Sequence, residues 1–198
     1  MEKLSEYIAF DLEFNTVDNV SHIIQVSAVK FVAGQESASF DSYAYTDVPL
    51  QSFINGLTGI TSEKIASAPK LKTVLEDFKT FVGQTDLIGY NAHKSDLPLL
   101  EENGLNLLEL YKTDVFDEAF NRRSTDLNGI KNLQLHTVAQ FLDISGRSHN
   151  SLEDARMTAL VYERFLEFDD NKSYLTEQEE DHGNNPFAML GLSGLFDD

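Results

Sequence analysis

Three β-type runs fall within the first 45 residues, and no gap between them is long enough for a helix. Tyr7–Glu13 is a short apolar run ending in acids. His22–Val32 is rich in β-branched residues, and Ser37–Tyr45 alternates polar with aromatic or small residues. Strands so closely spaced must double back on one another, which predicts an antiparallel meander. The pattern then changes. Leu71–Val82 places Leu71, Val74, Leu75, Phe78, Phe81 and Val82 on one helical face. Asp86–Tyr90 reads as a strand, Ser95–Glu102 as a short helix and Tyr111–Val115 as another strand. Leu133–Leu142 and Ser151–Phe168 return to helical periodicity, the second with a wide apolar face from Leu152 to Leu166. Three strands followed by alternating helices and strands predict an α/β domain. Its mixed five-stranded sheet has three antiparallel strands, then parallel ones, flanked by helices.

With 198 residues the chain suits one domain and a short appendage. The domain reads as residues 1–168. Residues 169–198 read as an acidic linker and an apolar tail, with His182-Gly183-Asn184-Asn185-Pro186 between them. There is no cysteine, which excludes a disulfide scaffold, a Cys-ligated zinc, an iron–sulfur cluster and a thiol nucleophile. Lysine and arginine number 15 against 33 acids, a formal net charge of −18. That balance opposes holding nucleic acid by bulk charge alone. No signal-peptide pattern and no membrane-length apolar run occur, so a cytoplasmic location is expected.

The acids carry the functional signal. Asp11 and Glu13 end the first strand, and side chains at i and i+2 leave a strand on the same face. Two carboxylates on one point repel each other, and a divalent cation relieves that repulsion. Asp96 falls in the first turn of a helix, where an acid also serves the helix dipole. In His149-Asn150-Ser151-Leu152-Glu153-Asp154, Asn150 or Ser151 is a plausible N-cap, which puts Asp154 in the first turn and His149 just outside. Each feature alone has an ordinary explanation: a solvated strand end, a dipole partner, a surface histidine. Four acids on three elements, with a histidine five residues before the last, form a constellation.

In Asp11-Leu12-Glu13, Asp96 and His149-x4-Asp154 the chain resembles the DEDD (DnaQ-like) 3′–5′ exonucleases of the histidine branch. That group includes the proofreading epsilon subunit and PolC-type exonuclease of bacterial DNA polymerase III. Gly56-Leu57-Thr58-Gly59-Ile60-Thr61 resembles its Thr-Gly-Ile-Thr segment, Ala68-Pro69 follows at the usual place, and His22–Val29 resembles its second strand. The likeness covers about residues 5–168. Three neighbours of the motifs depart from it. Phe14 stands where threonine is usual, Tyr90 replaces the histidine before Asn-Ala, and Ser95 replaces the phenylalanine before the motif aspartate.

The resemblance implies a ribonuclease H-like sheet and metal-dependent hydrolysis of terminal phosphodiesters to nucleoside 5′-monophosphates. Two Mg2+ or Mn2+ ions would be held by Asp11, Glu13, Asp96 and Asp154, with His149 as general base for the attacking water. It implies a nucleic acid 3′ end as substrate, single-stranded, with DNA favoured over RNA, in replication proofreading or repair. Leu12, Phe14 and Asn91 are candidates to hold the terminal nucleotide, and Arg122, Arg123, Lys131 and Arg147 to steer phosphates. An RNA-trimming enzyme and a non-catalytic binding subunit are the alternatives. In the tail, Gly191-Leu192-Ser193-Gly194-Leu195-Phe196 is similar to the short peptides that bind a sliding clamp, without their leading glutamine and with a glycine interrupting the match.

Overall fold

A computed structural model describes residues 1–146 and 150–181. Its sheet is the one expected, five strands in the order β3-β2-β1-β4-β5. β1 (Glu6–Val17), β2 (Val20–Val32) and β3 (Gln35–Tyr43) form the antiparallel meander. β4 (Leu87–Gly89) and β5 (Tyr111–Asp114) add to the β1 edge in parallel.

Both hairpins close in two residues. Asp18-Asn19 and Ala33-Gly34 all have positive φ, the conformation that matches the right-handed twist of the flanking strands. β1 therefore runs four residues further than its apolar pattern suggests. Asn15 interrupts that pattern because it is a buried polar residue. Its amide donates to the Pro49 carbonyl (3.1 Å) and accepts from the Gln51 N–H (3.0 Å), so burial leaves it satisfied.

Alternation along β1 sorts its side chains onto two faces. Ile8, Phe10 and Leu12 pack with α3 (Leu71–Val82) and α4 (Asp96–Glu102). Tyr7 and Ala9 pack with α5 (Val115–Asn121), α6 (Leu135–Phe141) and α7 (Ser151–Asp181). Tyr7 meets Tyr162 of α7 edge-on, ring centroids 4.9 Å apart. Two short helices, α1 (Ser52–Thr58) and α2 (Ser62–Ala66), cover Ile24 at the far end of the sheet. Neither these nor α5 shows in the sequence periodicity, because each is under two and a half turns. Side-chain caps help define two of them: Thr61 accepts from the Lys64 N–H and Asp114 from the Phe116 N–H.

α7 continues past Phe168 to Asp181. Its polar residues there are tied to the domain. Asp169 binds Arg122 through both oxygens (2.8 and 2.7 Å), Asp170 binds Lys3 (2.7 Å) and Lys172 binds Asp126 (2.7 Å). Arg122, a candidate for steering phosphates, is thereby removed from that role. It is 7% exposed, ion-paired to Glu118 and Asp169, and stacked on Phe165 at 4.8 Å. No described helix is long and apolar enough to cross a membrane.

Candidate active site

The site lies where β4 stops short. β4 pairs with β1 only at Ile8 and Ala9, so the edge of β1 beyond Ala9 has no neighbouring strand. Asp96, at the start of α4, replaces one there. Its carboxylate accepts from the Leu12 N–H at 3.0 Å. The other Asp96 oxygen hydrogen-bonds the Ser95 hydroxyl, which also lies 3.2 Å from the Asn91 carbonyl. Asp96 is thus buried and fixed against the backbone between the two β1 acids.

Asp11 and Glu13 leave β1 on the Tyr7 and Ala9 side, the face that α7 covers. Asp154 in the first turn of α7 meets them, and carboxylate oxygens of the three residues lie within 4.8 Å of one another. Asn150 caps this helix. Its side chain accepts from the Glu153 N–H (3.2 Å) and its carbonyl from the Asp154 N–H (2.9 Å). The helix start is also anchored from below. Ser151 is hydrogen-bonded to Ser27 at 2.5 Å, and the Ser27 hydroxyl reaches Asp41 at 2.8 Å. Gln25 donates to the same Asp41 oxygen (2.7 Å). Gln25 and Ser27 pair with Glu13 and Asp11 across the β1–β2 ladder. This polar island within a strand-rich core was not foreseen from sequence. Its one signal was Gln25 and Ser27 alternating with apolar residues in β2. Ser27→Ala should lower stability by about 1–3 kcal/mol, because Ser151 and Asp41 lose a buried partner; thermal unfolding measures it, and an unchanged midpoint would remove Ser27 from this role.

Crowding acids together has an electrostatic consequence. Asp11 is pushed well above the usual carboxylate range, first by loss of water and then by the charges of Asp96, Asp154 and Glu13. Glu13 rises to about 7 by burial and then by Asp154 and Asp96. Asp96 rises to about 6, again chiefly by burial, although its bonds from Ser95 and Leu12 oppose the shift. Such a cluster holds protons unless a cation takes their place. An all-oxygen donor set of this kind fits a hard divalent ion such as Mg2+ or Mn2+.

His149 and Arg147 lie outside the described residues, as does the 182–198 tail with its clamp-like peptide. The remaining candidates surround the acids. Leu12 contributes its N–H to Asp96, while its side chain is core. Phe14 lines a cleft of about 480 Å3 with Lys94, Ser95 and Pro98. Asn91 has a left-handed φ of 59° and donates its N–H to Asp114 at 2.7 Å. Asp114 also accepts from His93 (2.6 Å) and Tyr111 (2.9 Å). It therefore fixes the 90–95 loop that delivers Asp96. His93 turns to Asp114 rather than to Asp96, its nearer acid in sequence.

Comparison with known proteins agrees with this arrangement. The RNase_T family, described as Exonuclease, matches residues 8–162. The PolC-type DNA polymerase III of Caldanaerobacter subterraneus subsp. tengcongensis is 29% identical over 164 residues, 82% of this chain and 12% of that protein. The Bacillus subtilis PolC-type polymerase is 30% identical over 164 residues, 81% of this chain and 11% of its own length. The chain thus spans about an eighth or less of these relatives. Among solved structures, the nuclease domain of 3′hExo, a DEDDh family member bound to rAMP, superposes with a TM-score of 0.67 at 18% identity, covering 82% of this chain and 92% of that one. A zinc-bound complex of E. coli ExoI with single-stranded DNA gives 0.69 at 15% identity, covering 95% and 45%. With the family match spanning most of the domain and the acids grouped at the open edge of β1, the chain belongs to the exonuclease family and to the DEDD 3′–5′ exonuclease superfamily.

Proposed function

We propose that this chain removes nucleotides one at a time from the 3′ end of a DNA strand, in a proofreading or repair setting in the cytoplasm. The single observation that carries the reading is the grouping of Asp11, Glu13 and Asp154 within 4.8 Å, beside a backbone-anchored Asp96. Asp11, Glu13 and Asp154 would hold one divalent ion, Mg2+ or Mn2+, and Asp11 with Asp96 a second. Bound there, such ions supply Lewis acidity at the phosphate and an acidified water. The chain's own residues do the rest. Asp96, locked to Leu12 and Ser95, keeps its carboxylate aimed at the shared space. The Ser27–Ser151 bond sets the height of α7 and so the position of Asp154. His149, five residues before Asp154, would take the proton of the attacking water, because imidazole ordinarily titrates near the working pH. Leu12, Phe14 and Asn91 would frame the terminal nucleotide, Phe14 by stacking in its cleft.

DNA is favoured because the PolC-type relatives are DNA polymerases. We take residues 1–168 as the catalytic unit. Asp154→Ala and His149→Ala should each lower metal-dependent cleavage of end-labelled single-stranded DNA by about 10^3-fold, a loss of roughly 4 kcal/mol of transition-state stabilisation. Parallel reactions with RNA and with EDTA set the polymer and the metal requirement. Wild-type rates in either variant would defeat the assignment, and faster cleavage of RNA would move the reading to RNA trimming.

A further inference from the structure

Beyond Asn91 the molecule opens into a groove of about 860 Å3, walled by the end of β4, by α5 and by the segment leading into α6. Its composition differs from the rest of this acidic surface. Tyr90, Phe116 and Phe120 supply aromatic area, and Arg123 and Lys131 supply charge. Phe120 is 60% exposed, a large apolar cost for a surface helix with no apparent packing role there. Tyr90 stacks edge-on against Phe116 (5.8 Å) and donates its hydroxyl proton to the Leu133 carbonyl (2.6 Å), which braces the back wall. The tyrosine that departs from the family pattern thus ties β4 to the approach to α6.

The cations are distinctive. After residue 100, Lys112, Arg122, Arg156, Arg164 and Lys172 each pair with a carboxylate. Among the described residues Arg123 and Lys131 have no such partner. Neither has Lys94, whose ammonium stands 5.8 Å from the Phe116 ring centre. Lys94 also lines the Phe14 cleft, so it stands between that cleft and the groove. In a chain of net charge −18, three cations without carboxylate partners gathered around one aromatic wall call for an anionic, stackable occupant. The groove is continuous with the acid cluster through Asn91, whose carbonyl lies 3.2 Å from the Ser95 hydroxyl that binds Asp96.

We infer that this groove binds the single-stranded segment just upstream of the scissile nucleotide, with Phe120 stacking a base and Arg123 and Lys131 meeting backbone phosphates. The inference rests on the exonuclease reading above for its direction, but not for its binding test. That test uses fluorescence anisotropy of a labelled oligothymidylate of about twelve nucleotides, its terminal linkage a phosphorothioate, titrated with full-length protein in Mg2+ at several salt concentrations. Phe120→Ala should weaken binding about tenfold, within the range for loss of one stacked base. The double variant Arg123→Gln/Lys131→Gln should flatten the plot of log K against log salt by about 1.4, at about 0.7 for each phosphate contact on a single strand. Hydrolysis of the p-nitrophenyl ester of thymidine 5′-monophosphate, which has no upstream nucleotide, should be unchanged in all variants. Wild-type affinity and salt slope in the variants overturns the groove; so does an equal loss on the ester, which would locate the defect at the acids. A wild-type protein inert on both ester and DNA would defeat the exonuclease reading, while the anisotropy still reads the groove.

Discussion

Asp11→Asn is expected to abolish cleavage and, in metal-free protein at pH 8, to raise the unfolding temperature. The two effects have one cause. Asp11 is surrounded by Asp96, Asp154 and Glu13 and deprived of water, so its charge is unfavourable until a cation arrives. An isosteric amide removes that charge and with it a central metal donor. The rate should fall by about 10^3-fold or more, equivalent to several kcal/mol of lost Lewis-acid stabilisation. The sign of the stability effect follows from linkage. An acid whose folded pKa lies above its unfolded value contributes stability that is complete below the unfolded pKa and is lost as pH rises through the folded one. With Glu13 at about 7, Asp96 at about 6 and Asp11 also raised, that loss falls between about pH 4 and pH 7. For Glu13 alone the shift corresponds to about 3 kcal/mol. The metal-free wild type should therefore soften towards pH 8, Mn2+ should restore it, and the restoration should be small at pH 5. Asp11→Asn should lose most of the Mn2+ response. Calorimetric scans with EDTA or Mn2+ at both pH values measure all of this. If EDTA-treated wild type and variant melt together at pH 8, the acids are not repelling one another.

The second large effect is far from the chemistry. Arg122→Met should cost about 3 kcal/mol and lower the melting temperature by about 6–12 °C. Methionine keeps much of the packing on Phe165 but leaves Glu118, Asp126 and Asp169 facing one another without their cation. Activity per folded molecule should stay near wild type. A shift under about 2 °C would mean that solvent already screens these acids.

Arg122 also shows what the sequence could not convey. As a letter it is one more cation; its partner Asp169 is 47 residues away, beyond the point where the apolar face of α7 ends. The polar continuation of α7 reads as linker for the same reason, since its attachments are ion pairs rather than apolar contacts. By contrast, the sheet was legible because strand pairing follows local periodicity and connection length. The acids were legible because i,i+2 spacing on a strand puts Asp11 and Glu13 on one face whatever the rest of the chain does. Asn15, Gln25 and Ser27 were not, because a buried polar residue is distinguished from a solvated one only by the partner it meets in space. Asp114 likewise passes in sequence for an ordinary helix cap, although its other oxygen holds His93 and Tyr111.

The three-residue length of β4 acts as a gauge. Each further residue paired to β1 would advance the strand by about 3.3 Å and lay a peptide unit across the Leu12 N–H that Asp96 now occupies. The loop from Tyr90 to Ser95 is therefore constrained in number before it is constrained in kind. Drift there can exchange side chains, as Tyr90 and Ser95 illustrate, while an inserted residue would move Asp96 out of reach of its backbone anchor. Insertions that enlarge this fold have freer passage at the two-residue hairpins, on the opposite side of β1 from the open edge.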